Sequence, residues 1–247
     1  YTNNPAWIYY DLLLNKRYGL GEFLTEFDID KYALYRIGRY CDELVTGTDG
    51  TVEPRFTSNL YFTKPTDSYK VLKDLATTFR SMLYYLDGKV TLIQDSPTGA
   101  IYTFNKSNVI DGQFSYEGTG SKTRANQIVV SWNDPSNAYK QSSLIIEDGI
   151  NIAETGKIIK TSAIAFGCTS EGQAARYGRW KLWTAANQQE IVSFKTALNA
   201  AFLIPGDIIN VQDSDRNANR YSGRVSNSTP RSTTQITLDK SLTLLSG

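Results

Sequence analysis

Between Tyr69 and Ile93 the apolar pattern changes period without a gap, and that change constrains the fold more than anything else in the sequence. Tyr69, Leu72, Leu75, Ala76, Phe79, Met82 and Leu83 recur at three- and four-residue steps. Such a stripe predicts an amphipathic helix of about four turns, entered through the turn Lys64-Pro65-Thr66-Asp67. Leu83-Tyr84-Tyr85-Leu86 and Lys89-Val90-Thr91-Leu92-Ile93 then flank Asp87-Gly88, a dipeptide that accepts the positive φ of a type I′ turn, so a β-hairpin follows. The helix has one apolar face to bury, and the adjoining hairpin is the partner it is expected to pack on.

The flanking sequence extends this α+β reading. A first helix is expected over Ala6 to Leu14, begun after Pro5 and ended near Tyr18-Gly19. A second has Asp28 as its cap, with Ala33 or Leu34, Ile37, Cys41 and Leu44 on one face. Glu53 to Thr63 reads as extended. From Ala100 onward strands dominate: Ala100–Phe104, Gln113–Tyr116, Gln127–Trp132, Ser143–Glu147, Lys157–Ile164, Glu190–Lys195, Asp207–Gln212, Arg220–Val225 and Gln235–Leu238. One helix, Ser170 to about Asn187, interrupts them. The fold class expected is β-rich α+β: a helix-on-sheet domain over residues 1–120, and a small β-barrel or sandwich with one helix over 121–247.

Composition narrows the chemistry. No histidine occurs among the 247 residues, which removes His-based triads, two-His metal sites and His general bases. Twenty-six Lys and Arg against 25 Asp and Glu leave a net charge of +1, so electrostatics provide no reason to expect nucleic acid as a partner. Cys41 and Cys168 lie far apart without metal or disulfide spacing and are expected to be buried, reduced and unpaired. No apolar stretch approaches a membrane span, Tyr1 to Pro5 lack the features of a signal peptide, and the expectation is a soluble chain. The only methionine is Met82, so an excised fragment of a longer protein is expected.

The polar clusters read better as structure than as catalysis. Glu147-Asp148 and Asp213 with Asp215 are the best carboxylate groupings, and both are expected to be solvated. Asp213-Ser214-Asp215 with Asn217 and Asn219 looks superficially like a calcium loop but lacks its central glycine and terminal glutamate. Gly19-Leu20-Gly21 and Gly118-Thr119-Gly120 lack the strand, third glycine or lysine of a phosphate loop. Ser170 lacks the preceding glycine and the histidine of a nucleophile elbow and reads as a helix cap. Tyr177, Trp180 and Trp183 share one helical stripe, as core against the following strands or as an interface. No residue is singled out as catalytic, cofactor-binding or metal-binding, and no cofactor is expected.

Two pieces taken in order are the most specific part of the sequence: Ala165-Phe166-Gly167-Cys168-Thr169-Ser170-Glu171-Gly172-Gln173-Ala174-Ala175-Arg176-Tyr177-Gly178-Arg179-Trp180, and then Pro205-Gly206-Asp207-Ile208-Ile209. Arg17-Tyr18-Gly19-Leu20-Gly21, Arg39-Tyr40-Cys41-Asp42, Glu53-Pro54-Arg55-Phe56-Thr57, Asn105-Lys106-Ser107-Asn108-Val109 and Trp132-Asn133-Asp134-Pro135 precede them. In this order the seven segments resemble the tail tip attachment (central fibre, or protein J) family of lambda-like phages over nearly the whole chain. The resemblance implies a structural, non-enzymatic component of a phage or prophage tail tip, made in the host cytoplasm and located at the virion tail tip. It implies that both domains are like those of baseplate hubs and that the full-length protein forms a trimer. Other tail tip proteins would be partners; sequence-specific nucleic-acid binding and a membrane span would not. The rival reading, from Tyr and Trp content, is a secreted carbohydrate-binding or carbohydrate-cleaving β module.

Overall fold

The computed structural model describes all residues except 49, 63, 65, 87, 119–123, 217–236 and 239–247. The chain forms two compact units, each made from two stretches: Tyr1–Ser96 with Gly120–Gln189, and Pro97–Thr119 with Glu190–Gly247. The chain passes from one unit to the other after residues 96, 119 and 189.

The first unit opens with α1 (Pro5–Leu14) and α2 (Lys31–Asp42). Asn4 caps α1, its Oδ1 accepting from Ala6 N–H at 3.0 Å while its Nδ2 donates to the Gly38 carbonyl at 2.9 Å. Gly38 is obligatory for that approach, because an added Cβ would sit 2.9 Å from the Trp7 ring. Gly19-Leu20-Gly21 closes α1: the three N–H groups donate to carbonyls of Asn15, Leu12 and Asn15. The cap of α2 is Asp30, not the expected Asp28. Asp30 Oδ1 accepts from Tyr32 and Ala33 N–H, whereas Asp28 is occupied with Thr25 in the preceding short turn.

Residues 53–62 are mostly irregular. Only β2 (Val52–Pro54) is strand, paired antiparallel with β1 (Leu44–Thr46). Leu44 therefore leaves the α2 stripe and is exposed. The amphipathic helix exists as α3 (Ser68–Thr78), three turns rather than four. Phe79 ends it, and Met82 and Leu83 already belong to β3 (Ser81–Leu86), which pairs with β4 (Lys89–Gln94) in the expected hairpin register, Leu86 opposite Lys89. Gly88 has φ +75°, and Asp87 lies outside the described residues. Ala6, Tyr9, Leu13, Ile29, Leu34, Ile37, Cys41, Leu75, Phe79 and Leu92 form the core between α1, α2, α3 and the hairpin.

In the same unit, β7 (Gln127–Asp134) is the centre of a three-stranded sheet, antiparallel to β8 (Lys140–Glu147) and parallel to β9 (Lys160–Ile164). The connection from β8 to β9 holds a helix the sequence reading missed, α4 (Gly149–Thr155), capped by Asp148 and stopped by Gly156 at φ +64°. Buried Asn126 ties the start of β7 to this connection through Ile159 N–H and the Lys157 carbonyl. One sheet face, Ile128, Val130 and Trp132, packs on α5 (Glu171–Asn187). Gly178 permits it, because a Cβ there would lie 2.4 Å from Ile146 and 2.9 Å from Val130.

In the second unit β5 (Tyr102–Asn105) pairs parallel with β11 (Ile209–Gln212), and β6 (Phe114–Gly118) antiparallel with β10 (Glu190–Phe194). Tyr102, Phe104, Phe114, Phe194 and Phe202 join the two sheets in a chain of ring contacts at 4.8–5.5 Å. Gly206, at φ +96°, makes the turn before β11, which Ile204 N–H completes by donating to Asp207 Oδ2. The fold is thus mixed helix and strand as expected, but no closed barrel is formed among the described residues. The strands make small open sheets, and both parallel pairings join strands that are remote or separated by a crossover. The strands expected at 220–225 and 235–238 and the turn at 118–120 lie partly or wholly outside the described residues.

Cys41 and Cys168 are free and buried in different cores. Burial pushes the Cys41 thiol up to about 12 and the Cys168 thiol up to about 11. Both should therefore stay protonated and unmodified by iodoacetamide at mildly alkaline pH and react fully after denaturation, as intact mass will show; modification of the native chain contradicts the packing.

Candidate functional site

The most developed polar cluster, in the first unit, gathers residues from three of the seven sequence segments, together with Glu43, Arg80 and Asp95. Arg55 follows β2, Arg80 lies between α3 and β3, and Arg176 lies on α5. Arg176 pairs with Glu53 at 2.6 Å and donates to the Arg55 carbonyl at 3.0 Å. Arg55 pairs with Glu43 at 2.8 Å and lies 4.4 Å over the Tyr40 ring. Arg80 donates to the Arg176 carbonyl and stacks between Trp180 at 4.9 Å and Phe56 at 5.5 Å. Trp180 in turn donates to Asp95 at 2.8 Å. Three guanidinium groups thus face rings and three carboxylates, and burial lowers Arg80 below the ordinary arginine range.

The backbone is built around these contacts. Arg80 takes φ +55° at the end of α3, a conformation that costs a side-chain-bearing residue about 1 kcal/mol or more and that its pinned guanidinium offsets. Ser170 caps α5 through Gln173 N–H at 3.2 Å and also donates to Glu53. Gln173 copies a strand pairing: its Oε1 accepts from Thr57 N–H and Oγ1, and its Nε2 donates to the Thr57 carbonyl, each at 3.0 Å. A Cβ on Gly172 would lie 2.3 Å from the Glu53 carboxylate, so glycine lets the helix start against that side chain. Glu53 to Thr57 and Ser170 to Arg176 are therefore two halves of one brace, and Tyr40 lies beneath it.

The other candidates fall elsewhere. Glu147 accepts from Gln127, and Asp148 is the α4 cap, so this pair is spent on local structure. In the second unit Asp213 accepts from Tyr116 at 3.0 Å and Asp215 pairs with Lys106. Arg216 holds Glu190 through both oxygens and stacks over Tyr116. Asn217 and Asn219 lie outside the described residues, and no group of three metal-ligating side chains occurs among those described. Tyr177 packs against the β7 core and Trp180 joins the arginines, whereas Trp183 is exposed. The helix packs on the preceding strands β7 and β8.

The geometry defines a mixed helix-and-strand protein with small open sheets among the described residues and a polar cluster that ties its segments together. The chain matches the model of a family described as putative phage tail protein over residues 67–227, and it belongs to that family. It is 34% identical over 216 residues to tip attachment protein J of Escherichia phage SECphi4, a match covering 87% of this chain. It is 33% identical over 233 residues to the protein of that name in Escherichia phage SECphi27, covering 91% of this chain. The matched part spans 19% of the length of each relative. Among solved structures it is similar to a 43 kDa tail protein of prophage MuSo2 from Shewanella oneidensis, with 14% identity, 88% of this chain and 55% of that chain covered and a TM-score of 0.47.

Proposed function

We propose that this chain is a structural module of a phage or prophage tail tip, in which it forms part of the hub that supports host attachment and DNA passage. The single observation that carries the reading is the similarity to two tip attachment proteins along nearly the whole chain. The arginine–aromatic brace is in keeping with it. Its charges and rings engage one another rather than an open cavity, as suits a part that transmits load more than one that turns over a substrate. The chain acts without catalysis, at the tip of the assembled virion, after synthesis in the host cytoplasm, alongside other tail tip proteins. Self-association into a trimer belongs to the same proposal, with hub-like domains arranged head to tail.

The isolated chain is expected to be monomeric or weakly associating at micromolar concentration, since flanking regions contribute area that offsets the entropy of association. A longer protein containing it is expected to sediment as a trimer. A monomeric longer protein would contradict the hub, and a stable dimer of the isolated chain would indicate a twofold module instead.

A further inference from the structure

The first unit displays two aromatic patches of opposite charge that its own core leaves uncovered. In the segment before α2, Phe23 is 81% exposed and Phe27 87% exposed. Phenylalanine has no polar tip to justify such exposure, and two within five residues form a protruding apolar knob. Glu22 and Glu26 flank it, both exposed and without an ion-pair partner among the described residues. The nearby Asp28 is already engaged by Thr25.

The second patch is the outer face of α2. Its inner face, Ala33, Leu34, Ile37 and Cys41, is spent on the core, so the outer one is held rigidly outward. That face carries Tyr32 at 75% exposure and Tyr35 at 53%, with Arg36 and Arg39 beside them. No carboxylate pairs with either arginine among the described residues, and no acidic residue occurs from Lys31 to Cys41. Tyrosine and arginine on a preorganised helix are the composition of an interface core.

We propose that these two patches are the two sides of one contact, so that the occupant of the α2 face is the Glu22–Phe27 knob of a second copy of this chain. The argument is charge complementarity. A partner for the helix face must present aromatic groups among carboxylates, a partner for the knob must present aromatic groups among cations, and one chain carries both. The net charge of +1 leaves little general repulsion between copies. A polyanion such as DNA would match the arginines but would leave the phenylalanines exposed and be repelled by Glu22 and Glu26. The inference rests on the self-association reading and names the surfaces that would carry it.

Charge reversal tests it. Glu22→Arg with Glu26→Arg, or Arg36→Glu with Arg39→Glu, should each weaken self-association of the chain, measured by sedimentation equilibrium at the highest attainable concentration, by more than about tenfold. All these sites are exposed, so circular dichroism and urea midpoints should be unchanged. The chain bearing all four reversals restores opposite charges and should regain association. If the parent chain associates and the paired variants associate equally well, or the fourfold variant fails to recover, the assignment of surfaces is wrong while self-association stands. If the parent chain stays monomeric up to that concentration, the inference falls, whereas the self-association reading falls only if the longer protein is monomeric as well. Binding of short duplex DNA by that monomer, abolished by Arg36→Glu with Arg39→Glu, would assign the helix face to nucleic acid instead.

Discussion

Phe79→Ala should destabilise the chain by about 3–5 kcal/mol, the largest effect expected of any single truncation here. The ring is fully buried where α3 ends, edge-on to Tyr9 with centroids 6.2 Å apart, and the core between the helices and the hairpin closes over it. Removing it leaves a cavity beside the Tyr9 ring. Gln94 donates to the Phe79 carbonyl at 3.0 Å, so the backbone there cannot readily collapse inward. Met82→Ala is the matched control. Met82 belongs to the same apolar stripe in the sequence but is 66% exposed on β3, and its loss should change the unfolding free energy from urea titration by no more than about 0.5 kcal/mol. Equal effects of the two substitutions would contradict the helix-to-strand change at Phe79.

Arg176→Met should cost about 3 kcal/mol, at the lower end of the range for breaking a buried pair, because 18% of the arginine side chain and 21% of that of Glu53 remain accessible. The substitution leaves the Glu53 carboxylate against the start of α5 with only Ser170 donating to it, and it releases the hydrogen bond to the Arg55 carbonyl. Adding Glu53→Gln removes the orphaned charge and should recover a measurable part of the loss. The exposed pair of Arg216 and Glu190 supplies the contrast: with about half of each side chain in solvent, Arg216→Met should leave the urea midpoint almost unchanged. Urea titrations of these three variants separate a brace from a surface decoration.

The difference between those predictions and the sequence reading lies in range. The hairpin at Asp87-Gly88, the Ser170 cap and the inner face of α2 were legible because each is written within a few residues. Met82 and Leu83 satisfy both the helical and the alternating period, so the sequence could not say where α3 stops. Asp28 and Asp30 are equally good caps on paper, and only the commitment of Asp28 to Thr25 decides between them. Strand pairing was invisible for a different reason. Nothing local to Tyr102–Asn105 announces a parallel partner at Ile209–Gln212, and a count of strands invites a barrel that the described residues do not close. The brace was visible only as separate fragments: Glu53 to Thr57 and Ser170 to Arg176 were both singled out, yet no feature of either indicates that Gln173 takes up the backbone of Thr57. The aromatic content that motivated a carbohydrate module is partly accounted for by stacking on arginine and by the ring core of the second unit.

The most direct measurement is the position of this chain in the particle. Virions of the phage or induced prophage that encodes it should be purified, probed with gold-labelled antibody raised against the isolated chain, and viewed by electron microscopy. A tail tip module places the label at the distal end of the tail and nowhere else. Label on the capsid or along the tube, or particles that lack the polypeptide altogether by mass spectrometry, would contradict the account.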